Sequence, residues 1–306
     1  MKLIAACSCL IISFMALSEE VPSVKNELPR ADVLQSQVNT MMQGTASWLD
    51  AIGRNDSDDN SNDRASAKGY LQLSWLPRTA DLDDVDVNFK VSLHLPQWNE
   101  RFALVIDNDD DEEEHLLDYE SNHIQDNQDG VNVAFQYIKQ LNQKWQVKNR
   151  VGFSRSQVYL RSEIQFNWRV QQVDLSLQPR LDYFLQDGWE PSIKTVAAYQ
   201  LEKSYVSLSA SWQKTQTESN TRRKIGFYHI KSMGQNQLLV SGVQYNKSND
   251  ADDIPNENYF ISIRYRNLLY KSWMYFEIEP FVEFNQANNF RTEVGGVFRL
   301  ISYYGR

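Results

Sequence analysis

The chain has 306 residues, 31 Lys/Arg against 40 Asp/Glu, a formal net charge of −9 and a mean hydropathy of −0.55. Beyond the N-terminal run, no segment approaches the roughly 18 consecutive apolar residues of a spanning helix, which excludes a helical membrane protein. Arg222-Arg223-Lys224 is the longest basic tract and there is no Gly-rich phosphate loop, so no nucleic-acid partner is expected.

Residues 1–18 read as a signal peptide. Lys2 precedes the apolar run Leu3 to Leu17, and Ala16-Leu17-Ser18 places small residues at the two positions a signal peptidase reads, leaving Glu19 first. Ile4-Ala5-Ala6-Cys7 has the look of a lipoprotein box, but it begins the apolar run instead of ending it, which argues against lipidation. Cys7 and Cys9 leave with the signal. The mature chain then has no thiol for a disulfide, a thiolate nucleophile or a cysteine metal site.

Residues 19–64 precede the repetitive part. Residues 19–30, with Pro22 and Pro29, read as an extended leader. Over 31–52 the period changes: Leu34, Val38, Met41, Met42, Trp48, Leu49 and Ile52 recur mainly three and four apart, with Asp32 in the first turn and Gly53 as a terminator. This is a short periplasmic amphipathic helix. A plug, a lid or a docking element is one reading of it; a helix packed beneath the barrel rim is the other. Residues 54–64 contain no large apolar side chain and form an acidic, disordered linker. Charge divides here. Residues 19–130 hold 8 Lys/Arg and 25 Asp/Glu, and residues 131–306 hold 22 and 15.

From 65 to 306 the pattern is alternation. In Val158–Val170, Val158, Leu160, Ile164, Phe166, Trp168 and Val170 are apolar, interrupted only by Ser162; between them lie Tyr159, Arg161, Glu163, Gln165, Asn167 and Arg169. Successive strand residues point to opposite faces, so one face suits lipid and the other water. Such segments are mostly about 10–14 residues long, the length of a tilted strand crossing a bilayer. In chain order the outward sets begin with Leu71/Leu73/Trp75, Val85/Val87/Phe89/Val91/Leu93/Leu95 and Phe102/Leu104/Ile106. Val131/Val133/Phe135/Tyr137, Val147/Val151/Phe153, the Val158 strand and Val173/Leu175/Leu177/Leu181/Tyr183 follow. Next come Ile193/Ala197/Tyr199/Leu201, Val206/Leu208/Ala210/Trp212, Ile225/Phe227 and Leu239/Val243/Tyr245. Tyr259/Ile261/Ile263/Tyr265, Met274/Phe276/Ile278/Val282/Phe284 and Val294/Phe298/Leu300 complete the series.

The expected fold is all-β, an antiparallel transmembrane β-barrel of about 14 strands, with 12 as the alternative. An even number puts both ends of the wall on one side. Connections near Gln97–Asn99, Leu141–Gln143, Gln171-Gln172, Glu202–Ser204, Gly234-Gln235 and Leu268–Lys271 are short, whereas Asp107–Gly130 and Asn246–Asn256 are long and acidic. Short periplasmic turns and long outer loops are the expected arrangement. Trp75, Trp98, Trp145, Trp168, Trp189, Trp212 and Trp273 lie near strand ends, where headgroup-level girdles belong.

The C-terminal Glu293-Val294-Gly295-Gly296-Val297-Phe298-Arg299-Leu300 resembles the polar-x-Gly-x-x-apolar-x-apolar signal of Gram-negative outer-membrane barrels. The resemblance implies insertion by the barrel assembly machinery, with Glu293, Gly295, Phe298 and Leu300 at the signal positions, and location in the cell outer membrane among its lipid and lipopolysaccharide. Many such proteins end on an aromatic residue, whereas this chain ends Tyr303-Tyr304-Gly305-Arg306. Residues 48–110, from Trp48-Leu49-Asp50 through Leu93-His94-Leu95-Pro96 to Arg101–Asp107, are similar to uncharacterised proteobacterial barrel proteins. That likeness implies a fold and no activity.

Three sets of residues are candidates for function. Lys148, Arg150, Arg161, Arg169, Arg180, Lys194, Arg264, Arg266, Arg291 and Arg299 share inward parity with Glu163, Asp174, Asp182, Glu277, Glu279, Glu283 and Glu293. They line a wet, selective pore or form an ion-pair lattice that fills the barrel. Asp107, Asp109, Asp110 and Asp111 offer hard oxygens for loosely bound Ca²⁺ or Mg²⁺, although Glu112 stands where an EF-hand needs Gly. No other cofactor is expected. For a hydrolase there are only His94, His115, His123 and His229, without Gly-x-Ser-x-Gly; His94 reads as lumen-facing, and His229 as lipid-facing with no serine opposite in a simple hairpin register. No catalytic residue is assigned. The expected function is a narrow or gated pore for small polar or ionic solutes. The alternatives are a non-conducting structural or surface-binding protein and, behind it, a lipid- or lipopolysaccharide-modifying enzyme.

Overall fold

The computed structural model describes residues 29–52, 65–79, 84–96, 102–108, 132–142, 144–154, 157–216, 221–249 and 255–305. The proposed signal peptide, the linker, Trp98, Asp109–Glu114, His115 and His123 lie outside the described residues. A helix, α1 (Pro29–Ile52), precedes the strands β1 (Ser66–Trp75), β2 (Val85–His94), β3 (Phe102–Asp107), β4 (Asn132–Gln140) and β5 (Trp145–Ser154). Then come β6 (Gln157–Val170), β7 (Val173–Phe184), β8 (Gly188–Gln200), β9 (Ser204–Lys214) and β10 (Thr221–Gly234). The last are β11 (Gln237–Asn249), β12 (Pro255–Tyr270), β13 (Met274–Asn285) and β14 (Thr292–Tyr304). Each strand pairs antiparallel with its sequence neighbours, and β14 pairs with β1, closing a barrel of 14 strands. Closure leaves no edge along the wall. The only described helix of length, α1, is not long and apolar enough to cross a membrane.

The two faces divide as the alternation predicts. Leu73, Val87, Val151, Leu160, Leu208, Phe227, Ile261 and Phe298 are exposed and point outward. Along β6 the outward apolar positions span twelve residue steps, which at about 3.3 Å per residue and a tilt of about 40° cover about 30 Å, a bilayer's hydrocarbon depth. Pro179 and Pro280, which have no ladder N–H, sit on the outward face where pairing to β6 and β12 is interrupted.

The turns correct several expectations. The β12–β13 turn is Lys271–Trp273, not Leu268–Lys271, because β12 runs on to Tyr270 through a register shift. Asn246–Asn249 and Pro255-Asn256 belong to β11 and β12, which leaves only residues 250–254 as the loop. At the end that carries the 108–131 connection, only two residues separate β5 from β6 and three separate β7 from β8, as few as at the other end. Loop length therefore separates the two ends less cleanly than the sequence suggested. These are called the long-loop and short-turn ends below.

Pro29 and Arg30, read as leader, form the first helical turn, where a proline's missing N–H costs nothing. Residues 39–306 form one compact unit, which includes the second half of α1; residues 29–38 belong to another. Within the larger unit, Ala46 is fully buried against Ala67, Leu93, Leu95 and Leu104, with Met42 beside it. Ala67, Leu93 and Leu104 lie in one register row and share outward parity with the exposed Leu71, Leu73 and Val87. This half of α1 packs on the outside of the wall at the short-turn end. It is not a plug.

Candidate lumen site

Inward charges gather into two clusters, each with three arginines and two carboxylates. In the first, on β12–β14, Arg264 Nε lies 3.0 Å from Glu279 and 3.9 Å from Glu277. Arg299 Nη1 lies 2.8 Å from Glu279 and 3.4 Å from Glu277, and Arg266 pairs with Glu277. Strand register explains the grouping: Glu277 stands opposite both Arg266 and Arg299. Glu277 and Glu279 are 1% and 0% exposed. Carboxylates so far from water stay ionised only when cations surround them.

The second cluster lies on β3 and β5–β7. Arg161 Nε is 2.8 Å from Asp182 and Arg180 Nε 3.3 Å from it, while Arg150 Nη1 is 3.7 Å from Asp107 and its Nη2 donates to Gln136 at 2.7 Å. The Arg161 guanidinium rests 5.5 Å above the Tyr159 ring, which stacks on Phe184. The sequence pattern places Asp107 at the start of an acidic outer loop with a weak metal site. It is instead the last residue of β3, 2% exposed and committed to Arg150. Among the described residues no group of three metal-ligating side chains forms.

Between the clusters, Lys194 is buried on the lumen face of β8. Toward the short-turn end the charges open to solvent. Lys148 is 3.2 Å from Glu163, and the exposed Arg169 and Asp174 pair at 2.5 Å across the β6–β7 turn. Lys68 is also exposed there. The lumen wall is thus buried at mid-height and accessible at the short-turn end. Glu283 accepts from Asn258 at 2.7 Å and faces Arg78 at 3.9 Å, with Glu293 opposite it in register. Arg291, expected on the wall, precedes β14 and is exposed, its N–H bonded to the Asn288 carbonyl.

Arg78 and Glu190 are lumen residues that sequence reading missed. Arg78 follows Pro77 and looked like loop, yet it continues the β1–β14 register opposite Gly295 and lies 5.9 Å from the Phe281 ring centroid. Glu190 is 2% exposed and accepts from Gln213 and Thr215; counting back from Ile193 by parity would have found it.

The assembly-signal residues have local reasons for their types. A Cβ on Gly295 would stand 2.5 Å from the Phe281 ring and 2.8 Å from the Pro77 carbonyl oxygen. Phe298 faces outward, stacked on Trp75 at 5.4 Å, and Leu300 is exposed beside it on the same face.

His94 ends β2 on the lumen parity. His229 faces outward as expected, but Ser241 does stand opposite it. A register shift between Ser232 and Gly234 moves β11 by one residue, which places Ser241 where a simple hairpin would put Gly242.

No protein-family model matches the chain, and no curated protein matches it. Solved structures do. OmpT, an outer membrane protein of Vibrio cholerae, with its loop L8 deleted, is similar at TM-score 0.54 and 8% identity, covering 78% of this chain and 99% of that one. In-vitro folded OmpT aligns at 0.50 and 8%, over 80% and 99% of the two chains. The outer membrane channel DcaP of Acinetobacter baumannii aligns at 0.50 and 6%, over 79% and 97%. What these likenesses show is the fold: a closed antiparallel barrel of the kind found in outer-membrane proteins.

Proposed function

We propose that this chain is an outer-membrane β-barrel whose lumen forms a narrow pore for small polar or ionic solutes, with a modest preference for anions. In this reading residues 1–18 direct export and are removed, the short-turn end faces the periplasm, and the long-loop end faces outward. The observation that carries the proposal is the pair of inward clusters on opposite arcs of the wall, each with one guanidinium in excess of its carboxylates. Fixed charges on a confined wall bias which ions enter.

The burial of Glu279, Asp182 and Gln244 at mid-height favours a second reading, a barrel closed at rest or permanently filled by its ion pairs. Single-channel recording in a planar bilayer separates the two. Small conductance steps with an anion-shifted reversal potential support the pore. A correctly folded barrel that never conducts rejects it in favour of the structural reading.

A further inference from the structure

Outward-facing cations are rare on this wall, and at the long-loop end they gather on three adjacent strands. Lys214 ends β9, Arg223 lies two residues into β10, and Lys247 lies near the end of β11. All three share the parity of outward residues: Lys214 with Leu208 and Trp212, Arg223 with Ile225 and Phe227, Lys247 with Val243 and Tyr245. Arg223 and Lys247 are register partners, so their Cβ atoms stand roughly 4.5–5.5 Å apart and two like charges share one row, a destabilising arrangement unless an anion lies between them. Glu257 answers Lys247 at 2.8 Å, but among the described residues neither Arg223 nor Lys214 has a carboxylate partner. The remaining outward strand cations, Lys139 and Lys231, lie at the short-turn end on separate strands.

Trp212 stands beside Arg223 in register, and one row toward the barrel's middle Tyr245 and Tyr259 pack at 5.0 Å. Ile225 stands beside them in the same row, and one row below Phe227, Val243 and Ile261 are, like it, exposed and apolar. Aromatic rings of this kind sit at headgroup level, so the three cations stand where lipid phosphates lie. Primary ammonium and guanidinium groups hold phosphate through charge-assisted hydrogen bonds.

We infer that the outward face of β9–β11 at the long-loop end binds the phosphates of a phosphorylated glycolipid of the outer leaflet, through Lys214, Arg223 and Lys247. The inference rests on the outer-membrane reading above. A patch about 10 Å wide across three strands suits a headgroup with more than one phosphate, with acyl chains lying along Ile225, Phe227 and Val243.

The test compares the wild type with a Lys214→Gln/Arg223→Gln/Lys247→Gln variant and a Lys139→Gln/Lys231→Gln control, each purified in detergent. Native mass spectrometry then reads retention of added lipid A, dephosphorylated lipid A and an anionic phospholipid. We expect the wild type and the control to retain lipid A about tenfold more than the triple variant, a change of one decade in affinity. Neither of the other lipids should be held. Equal retention by the triple variant, or equal retention of the dephosphorylated glycolipid or the phospholipid, overturns the inference while leaving the barrel reading intact. A wild-type chain that forms no heat-modifiable species in bilayers rejects the membrane reading, and the inference with it.

Discussion

The side-chain amide of Gln43 donates to the Ala67 carbonyl at 3.1 Å and accepts from the Ala67 N–H at 3.3 Å. Pairing of β1 with β14 stops at Gly69 and Tyr304, so a helical side chain takes over where the partner strand ends. One helical turn earlier, Asn39 accepts from the Gly305 N–H at 2.9 Å. Met42 and Ala46 bury the outward apolar surface on the same side of the helix. This half of α1 is a clamp on the closing seam.

Replacing Asn39 and Gln43 together with Ala should therefore weaken the seam and leave the lumen untouched. Each lost hydrogen bond is worth about 1 kcal/mol, more where a backbone group stays buried. The heat-modifiable band should convert at lower temperature, with conductance unchanged. Deleting residues 39–52 should not raise conductance either; a clear rise would place the helix in the lumen and refute the packing described here.

Glu279 is surrounded by Arg264 and Arg299 at 3.0 and 2.8 Å and is fully buried. Glu279→Ala should cost about 3–5 kcal/mol, because removing one partner strands buried charge. Asp174→Ala should leave stability unchanged within error, since its pair with Arg169 lies in solvent. Urea unfolding of the two variants in lipid vesicles measures the difference, and equal midpoints would mean that the mid-height cluster is hydrated.

The wall was legible from sequence because its signal is local. A period of two fixes which side of a strand each residue takes, so the lumen charges of Arg161, Asp182 and Glu277 followed from their neighbours alone. What was hidden depends on contacts between distant segments. Amphipathic spacing in α1 is the same for a plug and for an outer clamp, and what decides between them is the packing of Met42 and Ala46 on the outward-facing Ala67, Leu93 and Leu104. Ser241 faces His229 through a one-residue register shift that no turn sequence announced. Arg78 was obscured by Pro77, although the β1–β14 register resumes unchanged beyond it in the Arg78–Gly295 bridge.

Selectivity must be tested where charge is accessible. Reversing Arg264 and Arg266 to Glu would gather four carboxylates around Arg299, and such a variant should fail to fold. Lys68 is exposed on the lumen face at the short-turn end. Lys68→Glu should fold normally and move the reversal potential toward cation selectivity. An unmoved potential in a conducting barrel would show that this end does not lie on the ion path.

The face assignment is tested within one strand. Phe166 points outward and packs on Trp145 at 4.2 Å, while its neighbour Gln165 points into the lumen. A charge facing mid-bilayer lipid costs roughly 2–4 kcal/mol, less near the interfaces. Phe166→Arg should therefore lower the unfolding midpoint in vesicles and Gln165→Arg should not. Equal effects would mean that the two faces do not meet different solvents.

Removing residues 293–306 takes away nearly all of β14 and leaves β13 and β1 with open ladders. In lipid each unpaired backbone group has no water to bond, so an open barrel is not a stable membrane structure. The truncated chain should yield no heat-modifiable, protease-resistant species in membranes. A milder variant separates closure from simple loss of length: Gly295→Val keeps every residue but drives a side chain into the Phe281 ring and the Pro77 carbonyl. It should assemble in lower yield with the seam weakened locally, and a truncated chain that still resists protease would overturn the closed barrel itself.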